Sequence, residues 1–223
     1  MGKGKNLLRW GIMLIASLFL FSACGAGTYD ASGYVKSMLD AQTRGEYDQY
    51  LELTESTKKD AEDLYNKTIE AQMDAIDADA LSDELSGKYE ELFKKIFKQT
   101  KYTVGEAKEG DDDSFTVPVE VETLKLFEGV EENLAAFQEE LTTELMAQMA
   151  EDGTVPDDEE LNERAFQHLY DFLNEKVENP TYGKKSTVEV KVAKNSDDFY
   201  EADQSDMEEI EKKLIDTDAA GIQ

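Results

Sequence analysis

Phe115-Thr116-Val117-Pro118-Val119-Glu120-Val121 alternates apolar and polar residues with a period of two, and so does Val188-Glu189-Val190-Lys191-Val192. Successive strand side chains point to opposite faces, so each segment predicts a half-buried β-strand with its valines inward. Tyr102 and Val104, alternating with Thr103 and Gly105, predict a strand before the first of these. Glu109-Gly110-Asp111-Asp112-Asp113-Ser114 then reads as a polar hairpin loop. Pro118 has no N–H to give to a ladder, which places its strand at a sheet edge or at a bulge. The alternation slips after Val121, with Leu124 and Leu126 next in phase, so pairing ends there or bulges. Asn195-Ser196-Asp197-Asp198 predicts a turn leading to the short apolar pair Phe199 and Tyr200.

Around these strands the period changes to 3.6. Tyr34, Val35, Met38 and Leu39 predict a helix that Gly45 breaks, and Tyr47, Tyr50, Leu51 and Leu53 a short second one. Thr57 with Asp60 three residues on reads as a helix start. Leu64, Thr68, Ala71 and Ala75, with Ile69 and Ile76, give that helix its stripe. Ser82 is placed to cap a helix whose face is Leu85, Tyr89, Leu92, Phe93, Ile96 and Phe97, the strongest amphipathic signal in the chain. A second hairpin occupies 128–178. Its first helix carries Val130, Leu134, Phe137, Leu141, Leu145 and Met149, and ends near Gly153. Its second opens at Pro156 and Asp157 and carries Leu161, Ala165, Leu169, Phe172 and Val177. This hairpin is either an insertion between sheet strands or part of a second lobe. Ser205 with Glu208 predicts a capping box for a last helix bearing Met207, Ile210, Leu214 and Ile215.

Amphipathic, turn-connected strands mixed with helices predict an α+β fold: an antiparallel sheet with helices packed on one face, plus long helical hairpins. The length suits a single α+β domain over 34–216, followed by a tail at 217–223.

The chain opens differently. Lys3, Lys5 and Arg9 precede an apolar run from Trp10 to Ala23, the layout of a secretory signal peptide at 1–23. The run is short of the ~20 apolar residues needed to span a ~30 Å hydrocarbon core. Cys24 is the only cysteine, so a disulfide within the chain is excluded, as is thiolate metal chemistry in the mature part. Phe21-Ser22-Ala23-Cys24 resembles the bacterial lipobox, whose cysteine is acylated and becomes the first residue of the mature protein. That resemblance implies lipidation at Cys24 and attachment to the extracytoplasmic face of a bacterial cell membrane. Gly25 to Gly33 is small and polar, so acylated cysteine and flexible tether are expected over 24–33. A cleaved signal without lipid is the alternative, and it leaves Cys24 unexplained.

Residues 31–53 resemble the opening helices of the nuclear-transport-factor-like, cystatin-like cone superfamily: a helix, a Gly-Glu-Tyr turn at Gly45-Glu46-Tyr47, and a second short helix. Val188 through Asp203 is similar to its closing hairpin. The resemblance implies a curved sheet with a concave pocket, in a superfamily that holds both enzymes and binding modules.

Charge excludes one partner class. The chain has 23 basic and 51 acidic residues. Loss of Lys3, Lys5 and Arg9 with the leader leaves 20 against 51, a charge near −31 that repels nucleic acid. No phosphate loop, nucleophile elbow or peptidase metal motif is present in the sequence. His168, the only histidine, stands three residues before Asp171 on one helix face, but no nucleophile signature accompanies it. Asp111-Asp112-Asp113, Asp157-Asp158-Glu159-Glu160 and the trio Asp74, Asp77 and Asp79 lack the spacing of a calcium loop. The expectation is a non-catalytic binding module, with no catalytic residue, cofactor or metal site, that meets an unknown protein or small-molecule partner. The alternative is a small-ligand receptor whose concave sheet pocket is lined by Phe115, Val117, Val119, Val121, Val188, Val190 and Val192.

Overall fold

The computed structural model describes residues 29–217 apart from 55, 112, 152 and 197. The signal peptide, Cys24, residues 25–28 of the expected tether and residues 218–223 of the tail lie outside the described residues; the end of that tether is folded and not flexible linker, since Ala31 opens α1 and Ala31 and Gly33 are buried. The fold is α+β. Helices α1 (Ala31–Arg44), α2 (Asp48–Leu53), α3 (Lys58–Ala75) and α4 (Asp83–Lys98) precede strands β1 (Lys101–Val104), β2 (Lys108–Glu109) and β3 (Phe115–Leu124). Then come α5 (Val130–Glu151), α6 (Asp158–Glu178), β4 (Tyr182–Lys194), β5 (Tyr200–Ala202) and α7 (Gln204–Leu214).

The sheet is antiparallel in the order β1-β3-β4-β5, with β2 continuing the β1 side of β3. Register sets Phe115 opposite Val192, Val117 opposite Val190 and Val119 opposite Val188. Phe115, Val117, Val119 and Val121 of β3 and Val188, Val190 and Val192 of β4 therefore share one face, which α1 and α7 cover. Thr116, Glu120, Glu122, Lys185 and Lys191 lie on the other face, which meets solvent. The hairpin at 128–178 is an insertion between β3 and β4, which are neighbours in the sheet.

Pro118 corrects one expectation, because β3 is an interior strand. Its carbonyl accepts from Gly105 N–H at 2.8 Å, and in an antiparallel ladder a residue's N–H and C=O face the same neighbour. The missing donor therefore points at the gap where β1 has ended and β2 has not begun. Gly105 makes room for the ring, since a Cβ there would lie 2.9 Å from Pro118 Cγ. The slip after Val121 is a bulge between Glu122 and Leu124, which keeps Leu124 buried.

Helix starts follow their capping side chains. Thr57 and Asp60 form a reciprocal capping box on α3, Ser82 Oγ accepts from Leu85 N–H, and Asp157 accepts from Glu160 N–H. At α7 the cap is Asp203, which accepts from Ser205 and Asp206 N–H, so the expected Ser205–Glu208 box gives way to an earlier start. The buried face of α4 is the expected one throughout. On α3, Gln72 is buried and Ala75 exposed. On α6 the buried set is Phe166, Leu169, Leu173 and Val177, so Phe166 and Leu173 replace Ala165 and Phe172. On α5 only Val130 is buried, because this helix leans on α6 alone for most of its length.

Gly45 ends α1 in the left-handed region (φ +67°), which lets the Gly45 and Glu46 N–H groups both reach Asp40 O. A side chain there is strained, so Gly45→Ala is expected to lose about 1–2 kcal/mol of stability. Gly45→Asn should lose less. Urea unfolding of the two variants measures both; equal stability of Ala and Gly would show that α1 does not depend on this turn.

Candidate functional site

The residues assigned to a sheet-face pocket do not form one. Val117, Val119, Val121, Val188, Val190 and Val192 are only 0–3 % exposed, and Phe115 is packed against Tyr29 and Tyr200 with ring centroids 5.8 and 5.6 Å away. The space a ligand needs is filled by α1 and α7. Tyr29 completes this end of the core by stacking on Tyr200 at 3.9 Å.

The most concentrated polar cluster lies where α1 meets β1. Asp40, only 4 % exposed, sits four residues after Lys36 and four before Arg44, so both cations reach it along one helix face. Arg44 Nη1 donates at 3.1 Å and Lys36 Nζ donates to the other carboxylate oxygen. Tyr102 OH donates to Asp40 Oδ1 at 2.6 Å, and Thr43 Oγ1 is 3.2 Å from the same hydroxyl. The Arg44 guanidinium lies 4.5 Å above the Tyr102 ring. Burial, followed by the hydrogen bond to Asp40, pushes the Tyr102 hydroxyl well above its ordinary value. Beside it Arg44, Lys101, Tyr102, Thr103, Glu120 and Glu122 line a cleft of about 180 Å³. That is below the roughly 300–1,000 Å³ of small-molecule pockets. Lys185 already pairs with Glu120 at 2.6 Å there. The cluster ties α1 to the sheet. Its signal in the sequence was the spacing of Lys36, Asp40 and Arg44, which is indistinguishable there from a solvated helix face.

His168 does not meet Asp171. Its Nε2 lies 2.8 Å from Asn133 Oδ1 and its ring stacks on Phe137 at 4.2 Å, while Asp171 accepts from Gln167 at 2.9 Å. The imidazole thus joins α6 to the start of α5. The acidic runs are divided among local tasks: Asp113 pairs with Lys194 at 3.0 Å, Asp157 caps α6, and Glu160 pairs with Arg164 at 2.8 Å. Among the described residues no three side chains of metal-ligand type converge.

The α5–α6 hairpin is the other place with unassigned surface. α6 runs along α4, held by Ser82 to Glu163, Tyr89 OH to Phe166 O at 2.8 Å, and Lys95 to Asn174 at 3.2 Å. α5 lies outside it. A shallow, solvent-open depression of about 620 Å³ lies along one face of α5, at Ala136, Glu139, Glu140, Thr143 and Glu144. The sequence pattern marked the inner stripe of α5 and gave no sign that its outer side would stay uncovered.

With this geometry in hand, comparison with known proteins adds a likeness of fold. No protein-family model matches the chain, and no curated protein matches it. Among solved structures it is similar to ycdA, a presumed lipoprotein of Bacillus subtilis, with 14 % identity and a TM-score of 0.50 over 84 % of this chain. The match takes in 56 % of the Bacillus protein, so the chain spans little more than half of that relative's length. Among the described residues no helix is long and apolar enough to cross a membrane.

Buried tyrosines give the molecule an alkaline limit. Burial raises the hydroxyls of Tyr34, Tyr50, Tyr89 and Tyr102 above their ordinary value of 10.0, Tyr50 to about 12. A raised folded pKa means the unfolded chain releases the proton first. The stabilisation is therefore complete below about pH 10 and drains away as pH rises above it. Absorbance at 295 nm should show these tyrosines ionising together with loss of helical circular dichroism. Tyr102→Phe, which removes the hydroxyl from Asp40, should cost about 1–2 kcal/mol at neutral pH. Independent titration of all ten tyrosines near pH 10 in a still-folded protein would contradict this account.

Proposed function

We infer that this chain is a lipid-anchored bacterial lipoprotein whose domain works on the extracytoplasmic face as a non-catalytic binding module. The observation that carries the reading is the placement of Cys24, the chain's one cysteine, at the end of a basic-then-apolar leader in the setting Phe21-Ser22-Ala23-Cys24. The likeness of fold to a presumed lipoprotein supports it. So does the helix–Gly45–helix opening and the β4–β5 closing hairpin, which are in keeping with the cystatin-like cone superfamily. Each buried CH₂ contributes ~0.8 kcal/mol, so two or more acyl chains hold such a domain at a bilayer, while its acidity keeps it off anionic headgroups. The polar side chains brought together at Asp40 have their partners within the protein, which supports a role in recognition over chemistry.

Labelled palmitate should enter the wild-type protein when it is expressed in a bacterium, and the protein should sediment with membranes. Cys24→Ser should take up no label and leave the membrane fraction. A Cys24→Ser protein that still sediments and carries label would rule out this anchor.

A further inference from the structure

Among the described residues the large apolar side chains left mostly exposed all fall in one place: Met146 (69 %), Met149 (61 %) and Val155 (52 %), at the free end of α5 and in the loop after it. Helical spacing turns Leu134, Phe137, Leu141 and Leu145 toward α6, where they are partly covered. The opposite side carries the shallow depression, with Ala136 and Thr143 as floor and Glu139 and Glu140 beside them, and Met146 continues the line of Glu139 two turns on. Thr143 Oγ1 donates back to Glu139 O at 2.9 Å, so the floor presents methyl groups and not a free donor. An exposed helix face of this kind, apolar at one end and rimmed by carboxylates, is built to be covered.

Charge decides what covers it. From Glu128 to Glu163 the chain holds thirteen acidic residues and no basic one. Arg164, at the edge, is already shared between Glu144 at 3.2 Å and Glu160 at 2.8 Å. A second copy would bring two such faces together, and like-charge juxtaposition across an interface is strongly unfavourable. An anionic leaflet is repelled for the same reason. We propose that the free face of α5 docks a basic amphipathic helical segment of a partner protein. Its apolar side rests on Met146 and the Ala136–Thr143 floor, and its Lys or Arg side chains meet Glu139 and Glu140. The unbranched Met146 suits this use, because a flexible thioether adapts to the shape laid on it.

This rests on the reading of the domain as a binding module, and the test separates the two. The probe is a fluorescent Leu/Lys peptide with Leu at helical spacing, and its control has the same composition in shuffled order. Anisotropy is measured with the full chain, in neutral phosphatidylcholine nanodiscs if it is lipidated and free in buffer if it is not, so the anchor does not decide the result. The patterned peptide should bind, more weakly as salt rises. Met146→Glu should weaken it at least about tenfold, and Glu139→Gln with Glu140→Gln should flatten the salt dependence. Thermal melting should not move, because these side chains are exposed. Equal binding of the shuffled peptide, wild-type affinity in the methionine variant, or a dimer formed through this hairpin in native mass spectrometry would each overturn the proposal. Cross-linking that captures a partner on another surface would leave the binding-module reading standing and this one refuted.

Discussion

The pairing of β3 with β4 is the constraint on which the remaining structure depends. The two strands are separated in the chain by the whole α5–α6 hairpin, yet they lie side by side in the sheet. Their register sets Val117, Val119 and Phe115 against Val190, Val188 and Val192, which gives one continuous apolar face. A slip of one residue would turn every one of these side chains to solvent, at roughly 1.5–3 kcal/mol each. The face so formed is what α1 and α7 cover, and the bulge before Leu124 lets that residue join it despite the change of parity. After α7 the chain returns to the same place: Ile215 bridges Leu124, and Asp216 N–H donates to Leu124 O at 3.0 Å.

Those parts of the fold governed by local periodicity were legible beforehand. The α4 face, the alternation in β3 and β4, the bulge and the break at Gly45 each rest on residues close in sequence, where burial imposes a period that can be counted. What could not be read was set by distant partners. Pro118 is tolerated inside the sheet because β1 and β2 leave a gap opposite it, a fact about residues 105–107 and not about the strand itself. The α6 face moved to include Phe166 and Leu173 because α4 offers Tyr89 there, with Phe166 and Tyr170 edge-on to its ring at 5.9 and 5.7 Å. β2 has only two residues, too few to show a period. The sheet valines assigned to a ligand pocket would show the same alternation in either case. Alternation reveals that one face is covered but not whether helices or a ligand cover it.

Polar groups divide in the same way. Asp40 is a buried carboxylate with its oxygens committed to Lys36, Arg44 and Tyr102, and breaking such a set leaves a charge without its partners, which is costly. It therefore ties α1 to β1 through Tyr102. Most other acids stand on the surface, and they are not spread evenly along the chain: α5 with the loop after it carries no cation of its own, and Glu144 is met from α6 by Arg164 at 3.2 Å. Net charge alone suggested a solvated surface. The uneven placement only acquires meaning when α5 is seen to be the outermost element.

Stability and recognition are separable here because of how the layers stack. Tyr89, Phe166, Leu169 and Leu173 close the α4–α6 interface, so the core is complete without the outer side of α5. α5 is held at its start by buried Val130 and by His168 stacking on Phe137, then extends along α6 with its far side free. A residue such as Met146 contributes little to folding, since its burial is not part of the folded state. A helix whose outer side the core does not need, and which leaves Met146 exposed there, carries a cost in exposed apolar surface. The partner helix proposed for this face would offset that cost by covering Met146, without any change in the packing that folds the chain.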